Sequence, residues 1–283
     1  MIEDYLRKVG AKVDSSGPID YGTQYRVSRG EEQAIVNVYR GKKGLRVVVQ
    51  KTTKLAEELR AVFGKKKAEE QAPEWEAWAG SDESGKGDYF GPLVVAAVAL
   101  TRKGAGELAS WGVRDSKTMA DEVAGALDRR IRAACPFAVV GWMPEEYNRR
   151  YEAARNVNRL LGEAHGEALA GVVGKAPWLE AAVTDQFGDE SYVEDALRGR
   201  GVGIPLVQRP KADETDLAVA AASVVARAAF VRGLEKLEKA YGMRLPKGAG
   251  ADVVAAARAF LKRHGRDALA GAAKLHFKTT ASL

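Results

Sequence analysis

The chain has 283 residues, 46% hydrophobic and 29% charged, with a net charge of +6, enough for one large or two smaller domains with a sizeable core. Its one cysteine, Cys135, excludes an internal disulfide and a cysteine-based metal site. No run reaches the roughly eighteen consecutive apolar residues of a membrane span, and MIEDYLRKVG lacks the layout of a secretory signal, so a soluble, cytoplasmic protein without a membrane partner is expected.

In chain order, IEDYLRKVGAKV (2–13) reads as a short helix. TQYRVSR (23–29), QAIVNVYR (33–40) and LRVVVQKT (45–52) read as three β-rich runs separated by the turns RGEEQ and RGKKG. TKLAEELRAVFG (53–64) has a Thr cap, apolar residues at helical spacing and Gly64 as a stop. Residues 1–64 are therefore expected to form a small α+β domain, followed by a charged, Pro-containing linker over 65–77. Residues 1–67 hold 15 Lys and Arg against 8 Asp and Glu, whereas residues 68–283 hold 29 against 30, so the basic excess lies wholly in the first part. Localised positive charge is the footprint of a segment that meets phosphates; a merely solvated basic surface is the competing reading.

From residue 78 strands alternate with helices. The strand candidates are 77–81, PLVVAAVAL (92–100), FAVVGWM (137–143), AAVTDQF (181–187) and IPLVQRP (204–210). The helix candidates are 119–134, one long helix over 144–173, 191–199, the apolar stretch 215–242, and 251–265 after the break at Pro246. This alternation predicts an α/β layer structure over 78–283, with a mixed sheet because 77–100 reads as a hairpin.

Three acidic sites share one placement, at or just past a strand: the adjacent pair Asp82 and Glu83, then Asp185, then Asp213. Strand ends are where α/β sheets gather ligands, and a carboxylate beside a buried strand is costly unless it is paired or binds a cation. His165, His264 and His276 are too dispersed to read as a ligand cluster. Carboxylates without His or Cys suit a hard cation, Mg2+ or Mn2+, and four of them would hold two such ions. The plainer reading makes a lone Asp at a strand end a turn former or helix cap, with Asp213 capping the following helix. Glu214 competes with Asp213, and Asp189 and Glu190 with Asp185, although the latter two look like helix-start residues. Gly85-Lys86-Gly87 lets the backbone approach a ligand and adds a positive charge; the plainer reading is an ordinary hairpin turn.

DESGKGDYFGPLVVAAV (82–98) resembles the signature of the type 2 ribonuclease H family, in the form with Lys rather than Arg between the glycines, that of ribonuclease HIII. RDSKTM (114–119), VTDQF (183–187), KADETDLAVAAASVVAR (211–227), LPKGAG (245–250) and KLHFKT (274–279) resemble its further blocks in order. The resemblance implies a ribonuclease H-like sheet over about 78–280 and an N-terminal domain resembling half of the TATA-binding protein. It implies Asp82, Glu83, Asp185 and Asp213 as catalytic, metal-binding carboxylates with two Mg2+ or Mn2+ ions. It also implies Gly85, Lys86 and Gly87 at the ribose 2′-hydroxyl, and Lys117 and Ser223 as further substrate contacts. The implied reaction is hydrolysis of the RNA strand of an RNA–DNA hybrid, giving 3′-hydroxyl and 5′-phosphate ends, by a monomer. A ribonuclease HII-like nuclease acting at single embedded ribonucleotides, and an inactive nucleic-acid-binding protein, are the alternatives.

Overall fold

The computed structural model describes residue 6 and residues 10–41, 44–50, 53–56, 58–59, 75–113 and 119–283. The chain divides into two compact units, Met1–Ala72 and Pro73–Leu283. The first holds a four-stranded antiparallel sheet in the order β1-β2-β3-β4, with β1 Lys12–Ile19, β2 Gly22–Arg29, β3 Glu32–Gly41 and β4 Gly44–Gln50. Three of these are the expected runs. The fourth, β1, corrects the sequence reading: its KVDSSGPI segment carries serines, Gly17 and Pro18, which mask a strand pattern. Such residues are tolerated because β1 is an edge strand, where a missing N–H breaks no ladder. The preceding helical turn stops at Gly10 (φ 68°), earlier than expected, with Ala11 N donating to Leu6 O at 2.9 Å. Thr53 caps its helix as expected, accepting from Ala56 N at 3.2 Å. The rest of both expected helices, and most of the linker, lie outside the described residues. Val27, Ala34, Val36 and Val38 bury one sheet face against Leu6, Leu55 and Leu59.

The second unit is built on a mixed five-stranded sheet, order β7-β6-β5-β8-β9, comprising β5 Ala77–Ser84, β6 Leu93–Thr101, β7 Phe137–Trp142, β8 Ala181–Asp185 and β9 Leu206–Arg209. β5–β6 and β6–β7 are antiparallel, while β5–β8 and β8–β9 are parallel. The central strand β6 is apolar on both faces and splits by alternation: Val94, Ala96, Val98 and Leu100 enter one core, Leu93, Val95, Ala97 and Ala99 the other. On the first face lie α1 Arg102–Ser110, α2 Asp121–Ala134, α7 Leu217–Tyr241 and α8 Ala251–His264. On the second lie α3 Pro144–Ala154, α4 Val157–Lys175 and α5 Ser191–Arg198. The short α6 Ala212–Thr215 precedes α7, and α9 Lys278–Ala281 closes the chain.

Two local expectations change. The long helix over 144–173 is two helices, because Arg155 takes a left-handed conformation (φ 50°) and Asn156 restarts the chain as a cap. Its side chain accepts from Asn158 N and Arg159 N, at 2.8 and 3.2 Å. The apolar helix is capped by Asp216, not Asp213; Asp216 Oδ1 accepts from Ala218 N, Val219 N and the Trp78 indole. Although α7 is long and apolar enough to cross a membrane by length and composition, most of it is buried in the protein core. Its first turn rests on β5 at Gly80, where a Cβ would fall 2.1 Å from Val219 N and 2.2 Å from Ala218 C.

Candidate active site

Sheet register assembles the acidic residues. Ser81 on β5 pairs with Thr184 on the parallel β8, so Asp82 and Asp185 are the next residues along neighbouring strands. Asp185 Oδ1 accepts from Ala212 N at 3.2 Å, which ties the α6 turn, and Asp213 within it, to the end of β8. Asp82 and Asp213 are 5% and 3% exposed. Glu214 instead points outward and pairs with Lys211, while Asp189 and Glu190 begin α5. The carboxyl groups feel each other. Burial raises Asp82 well above the ordinary carboxylate range, and the charges of Glu83 and Asp213 push the same way, against a hydrogen bond from Ser223. Burial also pushes Glu83 upward, but a hydrogen bond from His165 and the charge of Lys86 outweigh it, and Glu83 stays below its ordinary range.

These residues fit a hard cation by donor chemistry. All are oxygen donors, and Asp82 Oδ2 is buried with no hydrogen-bond partner among the described residues. Among the described residues no three acidic, His or Cys side chains converge tightly enough to form a ready-made cluster. Strand register and the α6 turn bring Asp82, Asp185 and Asp213 to one end of the sheet.

The glycine turn lies directly after Glu83. Gly85 is required by the fold: its φ is 91°, and a Cβ there would meet Pro92 O at 2.2 Å and the Phe230 ring at 2.8 Å. Gly87 faces open space. Lys86 Nζ lies 3.4 Å from Glu83 Oε1 and 5.4 Å from the centre of the Phe187 ring. Beside the turn is a cavity of about 350 Å³ lined by Glu83, Lys86, Ser223, Arg227 and Lys247. Ser223 is buried, with its hydroxyl committed to Asp82. Lys117 lies outside the described residues.

Two residues given no role in the sequence reading belong to this region. Lys274, fully buried, donates from Nζ to Asp88 O at 2.8 Å and Gly91 O at 2.7 Å, and Phe90 bridges Ala273, so the C-terminal segment braces the turn from behind. Asp88 Oδ1 in turn accepts from Gly248 N at 2.6 Å, fixing the LPKGAG loop. His165, also fully buried, sits beneath Glu83, with its Nε2 3.2 Å from Glu83 Oε2. Three dispersed histidines form no ligand pattern, and the one signal for His165 was a polar ring among Leu161, Ala164, Ala168 and Leu169 on the apolar face of α4.

A mixed sheet with acids at the ends of its adjacent parallel strands, followed by a braced glycine turn, defines a ribonuclease H-like protein. The family profile described as Ribonuclease HII matches residues 79–280. Ribonuclease HIII of Chlamydia pneumoniae is 43% identical over 202 residues, covering 71% of this chain and 67% of that protein. Ribonuclease HIII of Geobacillus kaustophilus is 38% identical over 205 residues, covering 71% and 66%. The aligned part thus spans about two thirds of these relatives. The crystal structure of Bst-RNase HIII in complex with Mn2+ superposes with a TM-score of 0.72 at 29% identity, covering 99% of this chain and 94% of that one, N-terminal sheet included. The chain belongs to the ribonuclease HII family, in its ribonuclease HIII form, and is an endoribonuclease.

Proposed function

We propose that this protein hydrolyses the RNA strand of RNA–DNA hybrids, leaving 3′-hydroxyl and 5′-phosphate ends, in the cytoplasm and as a monomer. The observation that carries the reading is the orphaned oxygen of Asp82 inside a group of mutually repelling carboxylates, a place that a divalent cation neutralises. Asp82, Glu83, Asp185 and Asp213 would hold Mg2+ or Mn2+, most simply two ions. When bound, such ions supply Lewis-acid stabilisation of charge at the scissile phosphate and of the attacking and leaving oxygens. The protein's own work is positional. Strand register and the bond from Ala212 N fix where the carboxylates stand, and the buried site keeps their field unscreened. Gly87, open to solvent, lets the strand's sugar come within hydrogen-bond reach of the turn, and Lys86 offers charge to a phosphate. Lys117 of the DSK block is assigned a further substrate contact.

The deciding experiment is the product pattern on a hybrid with mapped ribonucleotides, run separately with Mg2+ and Mn2+. Cuts throughout the ribonucleotide run support the proposal. Cutting only beside a single embedded ribonucleotide means ribonuclease HII-like action, and binding without cutting means a nucleic-acid-binding protein.

The two glycines separate folding from substrate approach. Gly85→Ala is expected to destabilise by roughly 1–3 kcal/mol or more, because backbone and ring must move. Gly87→Ala is expected to melt like the unaltered protein and to raise KM for the hybrid, which thermal melts and steady-state kinetics together measure.

The N-terminal unit is the proposed grip on the duplex. The sheet face opposite the apolar core is mixed, carrying Gln24, Arg26, Asn37 and Tyr39 beside Ile35 and Val48, with Gln24 donating to Asn37 at 3.0 Å and Asn37 to Tyr39. Removing residues 1–64 is expected to weaken hybrid binding and to flatten its dependence on salt, since fewer phosphate contacts release fewer counterions. Binding titrations across a salt series check this; an unchanged slope would remove the unit from the interface.

A further inference from the structure

Building on the nuclease reading, we infer that His165 is a positioning residue that holds the Glu83 carboxylate in its cation-binding orientation and locks the two acid-bearing strands to each other. Its ring lies where both strands can be reached. On one side Nε2 is 3.2 Å from Glu83 Oε2. On the other, Nδ1 is 2.9 Å from Ser81 Oγ and 3.2 Å from Thr184 Oγ1, the residues just before Asp82 and Asp185. Thr184 Oγ1 also donates to Ser81 O at 3.3 Å. The direction of the Glu83 bond follows from chemistry: an ionised carboxylate has no proton to give, so Nε2–H donates whatever the ring's charge. The Ser81 hydroxyl donates to Nδ1 of the neutral ring or accepts from the charged one, while Thr184, whose proton goes to Ser81 O, ties β8 to β5 directly beside the ring.

Three restraints fix the ring. It is fully buried, it stacks on Phe187 with centroids 5.0 Å apart, and it is carried on α4, which packs across the sheet. Glu83 is then held through both oxygens, Oε2 by His165 and Oε1 by Lys86 at 3.4 Å. The His165 partner is fully buried, whereas the Lys86 side chain is 38% exposed. A carboxylate with a fixed rotamer loses less entropy on taking a cation than one that must be ordered on binding, and hydrogen-bonded supports of ligating carboxylates are worth about 10–100-fold in metal affinity.

The test is Mn2+ affinity, read by calorimetry on the full-length protein, beside hybrid cleavage. His165→Asn keeps an amide near the Nδ1 position, facing Ser81 and Thr184, but falls short of Glu83. His165→Gln reaches Glu83. The Asn variant is expected to bind Mn2+ about 10–100-fold more weakly while remaining folded, and the Gln variant to recover most of the loss. In a Glu83→Gln background, His165→Asn is expected to add little further loss, the non-additivity of two groups acting as a unit. Unchanged affinity in the Asn variant, no recovery with Gln, or an equal further loss in the Glu83→Gln background would each overturn the inference. If the unaltered protein neither binds Mn2+ nor cuts hybrid, the nuclease reading falls first and this inference with it. Normal binding and cutting by the unaltered protein, with unaffected variants, isolates the failure to His165.

Discussion

Metal-free Asp82→Asn is expected to melt at a higher temperature than the unaltered protein while losing hybrid cleavage by about a thousandfold or more. The two effects share one cause. Asp82 is buried beside the charges of Glu83 and Asp213, and its folded-state pKa lies well above the unfolded one. Between those two values the folded protein holds a proton that the unfolded chain has released, so stability falls as pH rises through that window. The amide removes the charge and with it the penalty. The gain in melting temperature should therefore vanish below about pH 4, where both states keep the proton, and grow toward neutrality. Each kcal/mol relieved moves the midpoint by about 2–4 °C in a domain of this size. Mn2+ should reverse the order, stabilising the unaltered protein more than the variant. Melts from pH 4 to 8, with and without Mn2+, measure all of this. A variant that melts lower at pH 7 without metal, or still cuts within tenfold of the original rate, contradicts the assignment of Asp82.

Gly80→Ala is expected to cost about 3 kcal/mol or more and to abolish cleavage along with it, although the residue touches no proposed substrate or ion. The added methyl would meet backbone atoms of Ala218 and Val219 at 2.1–2.7 Å, and backbone cannot swing aside as a side-chain tip can. Relief requires α7 to lift from β5. That movement would carry away Ser223, which hydrogen-bonds Asp82, and would disturb the Asp216 cap that also receives the Trp78 indole. Urea unfolding gives the stability change, and cleavage at a temperature where the variant stays folded gives the loss of activity. Gly203→Ala, at an exposed loop position of the same unit with nothing within 4 Å of its Cβ position, is the control that should leave both unchanged.

The mixed sheet was legible because its signals are local. β6 is an unbroken apolar strand, and the acids follow strand patterns that read without knowledge of their partners. The Asp82–Glu83 pair stood out for the same reason, since adjacent like charges next to buried strand are unfavourable without a counter-charge. What stayed hidden depends on distant partners. An Asn in the middle of a helical pattern reads as a tolerated residue; only the left-handed Arg155 beside it shows that Asn156 is a cap. The sequence pattern offers Asp213 as the cap; the structure gives that place to Asp216, which Trp78, 138 residues away, also shares. His165 carries no motif of its own, and the KLHFKT block gives Lys274 no role until its carbonyl partners are seen; burial against specific strand ends and carbonyls gives both their place.

The bond from Lys274 to Asp88 joins positions 186 residues apart. Contacts of such sequence separation carry a large closure entropy and raise the contact order of the region that contains them. The β5–β6 hairpin needs no such partner, so a folding chain can carry its acidic strand early and acquire a set glycine turn only when its far end docks. The part of the surface on which a nucleic acid would be read is thus expected to be among the last to take shape, so that a chain still short of that step would present acids without the neighbouring bend.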